Sequence, residues 1–344
     1  MTDYMVESLF KLRAAGVSAR GEVLAGLTTF LTMASILFVN PDILAQAGMD
    51  HGAVFVATCL AAAIGSAVMG LLANYPIAQA PGMGINAFFT FGLVKGLGLP
   101  WQTALGAVFV SGVLFMLVSV TRLREGFVNG IPLSLKQAIS AGVGLFIALI
   151  ALQQAGVVVA NPDTLVGLGD LHKPQVLLAL AGFALVVTLE RWRVPGAILL
   201  GILAITALSA ALGLSEFNGV FAAPPSLAPT WLQLDVAGAL APGVLSVVLG
   251  FFLMSLTETS GTLIAVAQRG PFLDAEGKLP RLNRALLADS AAISVGALLG
   301  TSSTTSYLES SAGIAAGGRT GLTAVTVAGL FLASLFFAPL AAAV

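Results

Sequence analysis

The amino-acid sequence predicts an all-α polytopic membrane protein with about eleven membrane segments. Three observations indicate this fold class: only 9% of the 344 residues are charged, 58% are hydrophobic, and the mean hydropathy is +0.99. Soluble proteins carry about 25% charged residues, so 15 basic and 16 acidic side chains cannot cover a soluble chain of this length. A crossing helix needs about 20 apolar residues, and roughly 30 residues per span with its loop give about eleven segments.

Apolar runs divide the chain in order. Residues 1–22 form a polar N-terminal segment, and the first apolar run covers residues 23–39 and ends at Asn40-Pro41. Further apolar runs cover residues 53–73, 101–121, 131–155, 175–189, 194–214, 237–267, 284–300 and 320–341. We expect each run to form one membrane segment.

Two further segments are interrupted. Residues 74–84 contain two prolines and two glycines before apolar residues resume at 85–97. Residues 301–306 are six consecutive hydroxyl residues, and a short apolar stretch at 307–317 follows them. Both apolar stretches are too short for an ordinary span, so each segment is predicted to be extended backbone followed by a half-helix. Such a pair in the two halves of a chain is typical of a transporter binding site.

The distribution of cations predicts the orientation. With the N-terminus inside and all eleven segments crossing, thirteen Lys and Arg residues fall on the inner side and only Lys95 and Lys173 on the outer side. Cations collect on the cytoplasmic side of membrane proteins. We therefore predict a multi-pass protein of the plasma membrane (in bacteria the inner membrane) with a cytoplasmic N-terminus.

The remaining counts exclude several functions. A net charge of −1 leaves no basic surface for nucleic acid. Cys59 is the only cysteine and lies in an apolar run, while His51 and His172 lie in predicted loops, so no disulfide, metal site or cofactor is expected. No Cys pair or Ser–Lys dyad falls within a predicted span, and we do not expect an enzyme.

Two carboxylates lie inside otherwise uncharged segments, Glu258 and Glu309. A charge at the bilayer centre costs at least about 2.5–3.5 kcal/mol, and such residues usually face a cavity. Glu258 shares a helical face with Ser255 and Thr262, at spacings i, i+3 and i+7. Glu309 is predicted in the first turn of the second half-helix, where backbone N–H groups favour a negative charge. A neutral carboxyl group that is hydrogen-bonded within the bundle is the alternative for either residue.

Two more charged residues are interpreted as structural. Asp289 is expected near the cytoplasmic end of its span, where a cap or interfacial role is at least as well supported as a function. Arg319, at the end of the second half-helix, is expected to anchor the topology.

Several motifs resemble the adenine/guanine/hypoxanthine permease (azaguanine-like) branch of the nucleobase–cation symporter-2 family. They are TTFLTMA at residues 28–34, FVNP at 38–41, APGMGINAFF at 80–89, IPLSLK at 131–136, GTL at 261–263 and GTSSTTSYLES at 300–310. The match covers nearly the whole chain in order, and the motifs of the third and tenth segments are the most specific.

The resemblance implies a fold of two inverted seven-span repeats that form a core and a gate domain. It assigns residues 23–121 and 237–341 to the core (segments one to four and eight to eleven) and residues 131–214 to the gate (segments five to seven). Short antiparallel strands of segments three and ten are expected to meet at the substrate. The implied activity is uptake of purine nucleobases (hypoxanthine, guanine, adenine) with the proton as the coupling ion.

The same resemblance implies roles for individual residues. Glu258 would hydrogen-bond the base, and Glu309 would bind it or couple the proton. The backbone around Asn86 and Leu308 would contact the ring. The remaining predicted lining residues are Thr29, Ser35 and Thr262.

The chain departs from this branch in two ways. Ser255 and Glu258 stand where the branch usually has two aspartates, so the preferred base is left open. The chain also ends after eleven segments, and the last three gate spans are expected to be absent. The alternatives are therefore an anion carrier of the same fold and a non-transporting, truncated membrane protein. A second copy of the chain, in a homodimer, is a further candidate partner beside the base and the lipid bilayer.

Overall fold

A computed structural model describes residues 2–121, 133–194, 196–214, 219–275 and 279–342. The first two residues of the IPLSLK motif, and thus the predicted start of the gate at residue 131, lie outside the described residues. The helices are α1 (Thr2–Phe10), α2 (Ala19–Met33), α3 (Ile36–Ala45), α4 (His51–Val68), α5 (Met83–Ala87), α6 (Trp101–Val120), α7 (Leu133–Gln154), α8 (Pro174–Arg191), α9 (Ala197–Ala211), α10 (Val236–Ala239), α11 (Leu245–Ala267), α12 (Leu282–Leu299), α13 (Ser310–Ala315), α14 (Gly321–Ser334) and α15 (Ala338–Ala342). The strands are β1 (Gln79–Pro81), β2 (Val158–Asn161), β3 (Leu165–Leu168) and β4 (Thr304–Ser306).

Within these described ranges, seven helical stretches are long and apolar enough to cross a membrane. They are Ala19–Ala45, His51–Ala73, Trp101–Val120, Pro174–Arg191, Leu245–Ala267, Leu282–Leu299 and Gly321–Ala341. Two shorter apolar helices, Gly144–Gln154 and Ala197–Ala211, lie between them in sequence. Together with the two broken segments, these stretches match the predicted order of segments.

The first span differs from its prediction. It is interrupted at Ala34-Ser35, and α3 then continues through Asn40 and Pro41 to Ala45. Proline removes one intrahelical hydrogen bond, but α3 is buried along most of its length against α4, and this packing maintains the helix. A second difference lies before segment eight. The predicted run 237–267 is divided into α10 and α11 by a turn that contains Pro242.

The two broken segments join in one short ribbon. Strand β1 pairs with β4 in antiparallel register, with Gln79 opposite Ser306 and Pro81 opposite Thr304. Helix α5 follows β1 and continues as a π-helix over Phe88–Gly96, while α13 follows β4 after a turn. This arrangement confirms the prediction of extended backbone followed by a half-helix in both segments.

Each strand of the ribbon is held by the span that precedes it. In the first half, Ser66 of α4 accepts a hydrogen bond from Gln79 N (2.9 Å) and donates one to Gln79 O (3.2 Å). In the second half, Asp289 of α12 accepts hydrogen bonds from Ser306 N (2.9 Å) and Ser306 Oγ (2.7 Å). Spans two and nine thus each hold the strand that follows them through a polar side chain, as expected of two repeats.

The ribbon lies inside a tightly packed group of helices. Helix α12 packs against α6 and α4, and α14 packs against α4 and α2. Helix α11 packs against α6, so elements from both ends of the chain surround the two strands. Helices α8 and α9 pack on each other, and α9 also touches α2.

Candidate substrate site at the two broken segments

Glu258 lies on α11 beside the start of the first half-helix. A β-carbon built on Gly82 would lie 3.5 Å from Glu258 Oε1 and 3.7 Å from Oε2, so the carboxylate lies against bare backbone. Its side chain is partly exposed. Among the described residues, none donates a hydrogen bond to this carboxylate. The carboxylate is therefore available to accept hydrogen bonds from a ligand.

Glu309 is the residue that immediately precedes α13, at its N-cap position. The sequence predicted it within the first turn of this half-helix. Its backbone carbonyl oxygen accepts a hydrogen bond from Thr32 Oγ1 (3.5 Å). Its side-chain carboxylate accepts no hydrogen bond from any other residue in the described part of the chain. The neighbouring Leu308 is 54% exposed and lines a cavity with Ala265, Gln268, Arg269 and Ser311.

The polar face predicted around Glu258 is largely used for packing. Ser255 Oγ lies 3.1 Å from Ser303 Oγ, and Thr262 is buried. Thr259, between them on the helix, donates to Asp289 Oδ2 (2.5 Å) and lies 3.4 Å from Thr305 Oγ1. Neither Glu258 nor Thr262 has a side-chain hydrogen bond of this kind among the described residues, which separates both from the residues that fix β4.

The prediction for Asp289 is wrong. This residue is fully buried and accepts four hydrogen bonds, because β4 folds back alongside α12 at its depth. Besides the two bonds from Ser306 and the one from Thr259, Asp289 Oδ1 accepts a bond from Gln79 Nε2 (3.1 Å). It thus joins β1, β4 and α11. The sequence signal was the position of a carboxylate within a run of small residues, Ala288 to Ala292.

Asn86 belongs to a second buried cluster. Its Nδ2 donates to Asn40 Oδ1, and its Oδ1 accepts from Ser302 Oγ. Asn40 Nδ2 in turn donates to Thr58 Oγ1 (2.6 Å) and Thr301 Oγ1 (2.9 Å). The Asn86 side chain therefore ties the first half-helix to span one and to the second broken segment. Sequence reasoning did not single out Asn40 as part of this cluster.

Thr29 and Ser35 are both buried on the first span. Thr29 lies behind the second half-helix, because a β-carbon on Gly313 would overlap Thr29 Oγ1. Its hydroxyl oxygen has no hydrogen-bond partner among the described residues. Ser35 lies at the break between α2 and α3.

The arrangement brings two acceptor carboxylates to the ends of a rigid ribbon. The hydroxyl group of Tyr307 donates to Pro81 O (2.6 Å), and Gly82 N donates to Ser303 O (2.9 Å). These bonds tie the start of the first half-helix to the residues on either side of β4. Carboxylates at such a place can accept N–H groups of a planar ligand and can exchange protons.

Solved structures show the same architecture. The transmembrane domain of a cyanobacterium bicarbonate transporter, BicA, superposes with a TM-score of 0.68 at 17% sequence identity, and the match covers 94% of this chain and 84% of that chain. SLC26A9 superposes with a TM-score of 0.64 at 12% identity over 99% of this chain and 60% of that chain. At these identities the likeness shows the fold alone, and it confirms the predicted inverted-repeat transporter fold.

Proteins related by sequence have a much higher identity to this chain than these solved structures. Adenine permease AdeP of Escherichia coli is 48% identical over 337 residues, which cover 98% of this chain and 76% of AdeP. Adenine permease AdeQ of the same organism is 45% identical over 349 residues, with coverages of 100% and 79%. Guanine/hypoxanthine permease PbuO of Bacillus subtilis is 46% identical over 342 residues, with coverages of 97% and 79%.

The profile of the permease family Xan_ur_permease matches residues 20–344. This range contains the ribbon, both half-helices, and the two carboxylates Glu258 and Glu309. The match and the relatives agree with the resemblance of the sequence motifs. The chain is a multi-pass membrane protein that belongs to this permease family, the nucleobase–cation symporters.

Proposed function

We propose that this chain takes up purine nucleobases, namely hypoxanthine, guanine and adenine, together with protons. The observation that carries the proposal is the pair of carboxylates, Glu258 and Glu309, without hydrogen bonds from other described residues at the ribbon of two broken segments. The names of the relatives, adenine and guanine/hypoxanthine permeases, supply the substrate class.

In this proposal Glu258 recognises the base. A purine presents ring N–H donors, and a carboxylate accepts such donors in short, charge-assisted bonds. The absence of a side chain at Gly82 keeps the backbone close to this carboxylate, and a β-carbon there would already lie 2.9 Å from Thr305 Cγ2. The backbone of Asn86 and Leu308 would contact the ring from the two half-helices, and Thr29, Ser35 and Thr262 would support or line the same space.

Glu309 couples the proton in this proposal. It is a titratable group at the start of a half-helix in a segment that has no other charge before Arg319. A partly exposed carboxylate that accepts no hydrogen bond from another described residue can bind a proton from one side of the membrane and release it to the other. Glu258 is the second candidate for this role.

The larger organisation is proposed in the same terms. Residues 23–121 and 237–341 form a core around the ribbon, and residues 131–214 form gate spans, of which α8 and α9 pack on each other and α9 also touches α2. The N-terminus is cytoplasmic, as the cation distribution predicts. The chain is a carrier rather than an enzyme, and alternating access arises from movement of the core against the gate.

An anion carrier is the second candidate, since the chain shares its fold with a bicarbonate transporter, although this likeness shows the fold alone. An anion beside Glu258 and Glu309 would be repelled by two carboxylates in a site of low dielectric. A neutral base that donates N–H groups is not repelled. The charge of the site therefore favours the purine.

Uptake of radiolabelled hypoxanthine into vesicles that contain the purified protein tests the proposal. The protein is reconstituted in proteoliposomes with an imposed pH gradient, and adenine, guanine, xanthine, uracil, sulfate and bicarbonate are added as competitors. We expect accumulation that depends on the gradient, competition by purines, and no competition by sulfate or bicarbonate. Glu190→Gln, which removes an exposed carboxylate at the end of α8, is the control and should transport like the wild type. Competition by the anions alone would support the second candidate instead.

A further inference from the structure

Helix α2 forms the support on which the second half-helix lies. Gly313 of α13 lies so close to α2 that a β-carbon there would approach Ala25 O to 2.7 Å. At the other end, Thr32 Oγ1 lies 3.5 Å from Glu309 O. Residues 22, 25, 29 and 32 are spaced along one helical face, so a single face of α2 follows α13 from end to end.

The first residue of this face is a buried carboxylate. Glu22 is fully buried, although the sequence placed it in the polar N-terminal segment. Its Oε1 accepts a hydrogen bond from Arg319 N (2.8 Å). Its Oε2 accepts from Thr320 N (3.1 Å), Thr320 Oγ1 (2.9 Å) and Thr323 Oγ1 (2.6 Å). These donors belong to the turn before α14 and to its first turn, where backbone N–H groups lack helical partners.

The same turn is fastened to the end of α13. The guanidinium group of Arg319 donates to Ile314 O (2.7 Å) and to Gly318 O (2.7 Å). Arg319 therefore links the carboxylate of Glu22, through its backbone N–H, to the last turn of α13, through its side chain. Helix α13 has only six residues and is about 9 Å long, so a shift at this end moves the start of the helix as well.

We infer that Glu22 is a positioning residue that fixes α13 along α2 and thereby fixes Glu309. The competing explanation is that Glu22 only caps α14 and contributes stability. Asn74 provides a comparison within the same molecule. Its Oδ1 accepts a bond from Gly321 N (2.7 Å), so it also caps α14, but its other bond goes to Phe10 O rather than to α13.

A labelling experiment separates the two explanations without reference to any substrate. Leu308→Cys, in a Cys59→Ala background, places the only thiol of the chain on an exposed residue next to Glu309. The rate of reaction with a water-soluble maleimide reports the position of this residue. We expect Glu22→Gln to change the rate several-fold and Asn74→Ala to leave it within about twofold of the parent. Equal rates in all three proteins, or equal changes in both variants, would overturn the inference.

A milder variant covers the case in which Glu22→Gln does not fold. Thr323→Val removes one of the four donors to Glu22 and should change the labelling rate in the same direction by a smaller factor. An unchanged rate in a folded Thr323→Val, with Glu22→Gln unfolded, counts against a positioning role.

A second readout depends on the proposed function. In the chain with Leu308 intact, Glu22→Gln should raise KM for hypoxanthine and shift the pH profile of uptake, Glu22→Asp should restore part of both, and Asn74→Ala should alter neither. Absence of purine uptake in the wild type would refute the proposed function, whereas the labelling rates would still decide the role of Glu22. Unchanged KM and pH profile in folded Glu22→Gln would overturn the inference while the function stands.

Discussion

Replacement of Asp289 by alanine is expected to destabilise the protein because it leaves buried hydrogen-bond donors without an acceptor. Four hydrogen bonds converge on this carboxylate. The hydroxyl groups of Thr259 and Ser306 can rotate to other acceptors, but Ser306 N–H and the amide of Gln79 are held in place by the ribbon. An unsatisfied buried donor costs about 1–3 kcal/mol, so two of them cost about 2–6 kcal/mol.

Thermal unfolding of the purified protein in detergent measures this effect. At roughly 2 °C per kcal/mol for a large chain, Asp289→Ala should lower the melting temperature by roughly 4–12 °C. Asp289→Asn keeps an acceptor oxygen at the Oδ1 position and should lower the free energy of unfolding by less, about 1–3 kcal/mol, because the three hydrogen bonds to Oδ1 remain but their acceptor is no longer charged. Asp163→Ala, in the exposed turn between β2 and β3, is the control and should melt like the wild type. An Asp289→Ala protein that melts at the wild-type temperature would show that the four bonds do not hold the ribbon.

Three further substitutions probe the site itself. Glu258→Gln replaces an acceptor oxygen by an NH₂ group and should weaken purine binding by about ten- to a hundredfold, since a charged hydrogen bond contributes about 1.5–3 kcal/mol; undiminished binding by the purified variant would exclude the assigned role. Glu309→Gln should flatten the pH dependence of uptake or leave exchange without accumulation, and a variant that still concentrates substrate with the wild-type pH profile would move the coupling role to Glu258. Gly82→Ala brings a β-carbon to 2.9 Å from Thr305 Cγ2 and 3.5 Å from Glu258 Oε1. The overpacking should cost about 1–3 kcal/mol of stability, so this variant should melt at a lower temperature and bind the purine more weakly. Gly250→Ala, whose β-carbon would have no neighbour within 4 Å, is the control and should change neither property.

The sequence was sufficient to predict the features that interrupt a regular pattern. A span needs an unbroken apolar stretch, so the prolines and glycines of residues 74–84 and the hydroxyl run at 301–306 were visible as interruptions. The same reasoning identified Glu258 and Glu309, because charge is rare within membrane segments. In these cases the sequence departs from the pattern of an ordinary membrane span, and the departure marks the residues of the site.

Features that depend on distant contacts were missed. Asp289 and Glu22 are both carboxylates near the ends of apolar runs, where a position at the membrane surface is the ordinary expectation. Asp289 is instead buried by the return of β4, and Glu22 is buried by donors that lie 297 to 301 residues away in the chain. The depth of a residue near a span end is set by what packs on it, which the local sequence does not contain.

The pairing of β1 with β4 has a consequence for the order in which the protein assembles in its membrane. The Tyr307 hydroxyl group reaches Pro81 across 226 residues of sequence, so the partner of β1 is synthesised long after β1 itself. An unpaired backbone group in hydrocarbon costs several kcal/mol, and a nascent chain that contains only the first half has no strand to satisfy residues 79–81. The third segment therefore has to remain in contact with water, or with the insertion machinery, until the tenth segment arrives. We therefore expect insertion of the spans and completion of the site to be separate stages in the biogenesis of this protein.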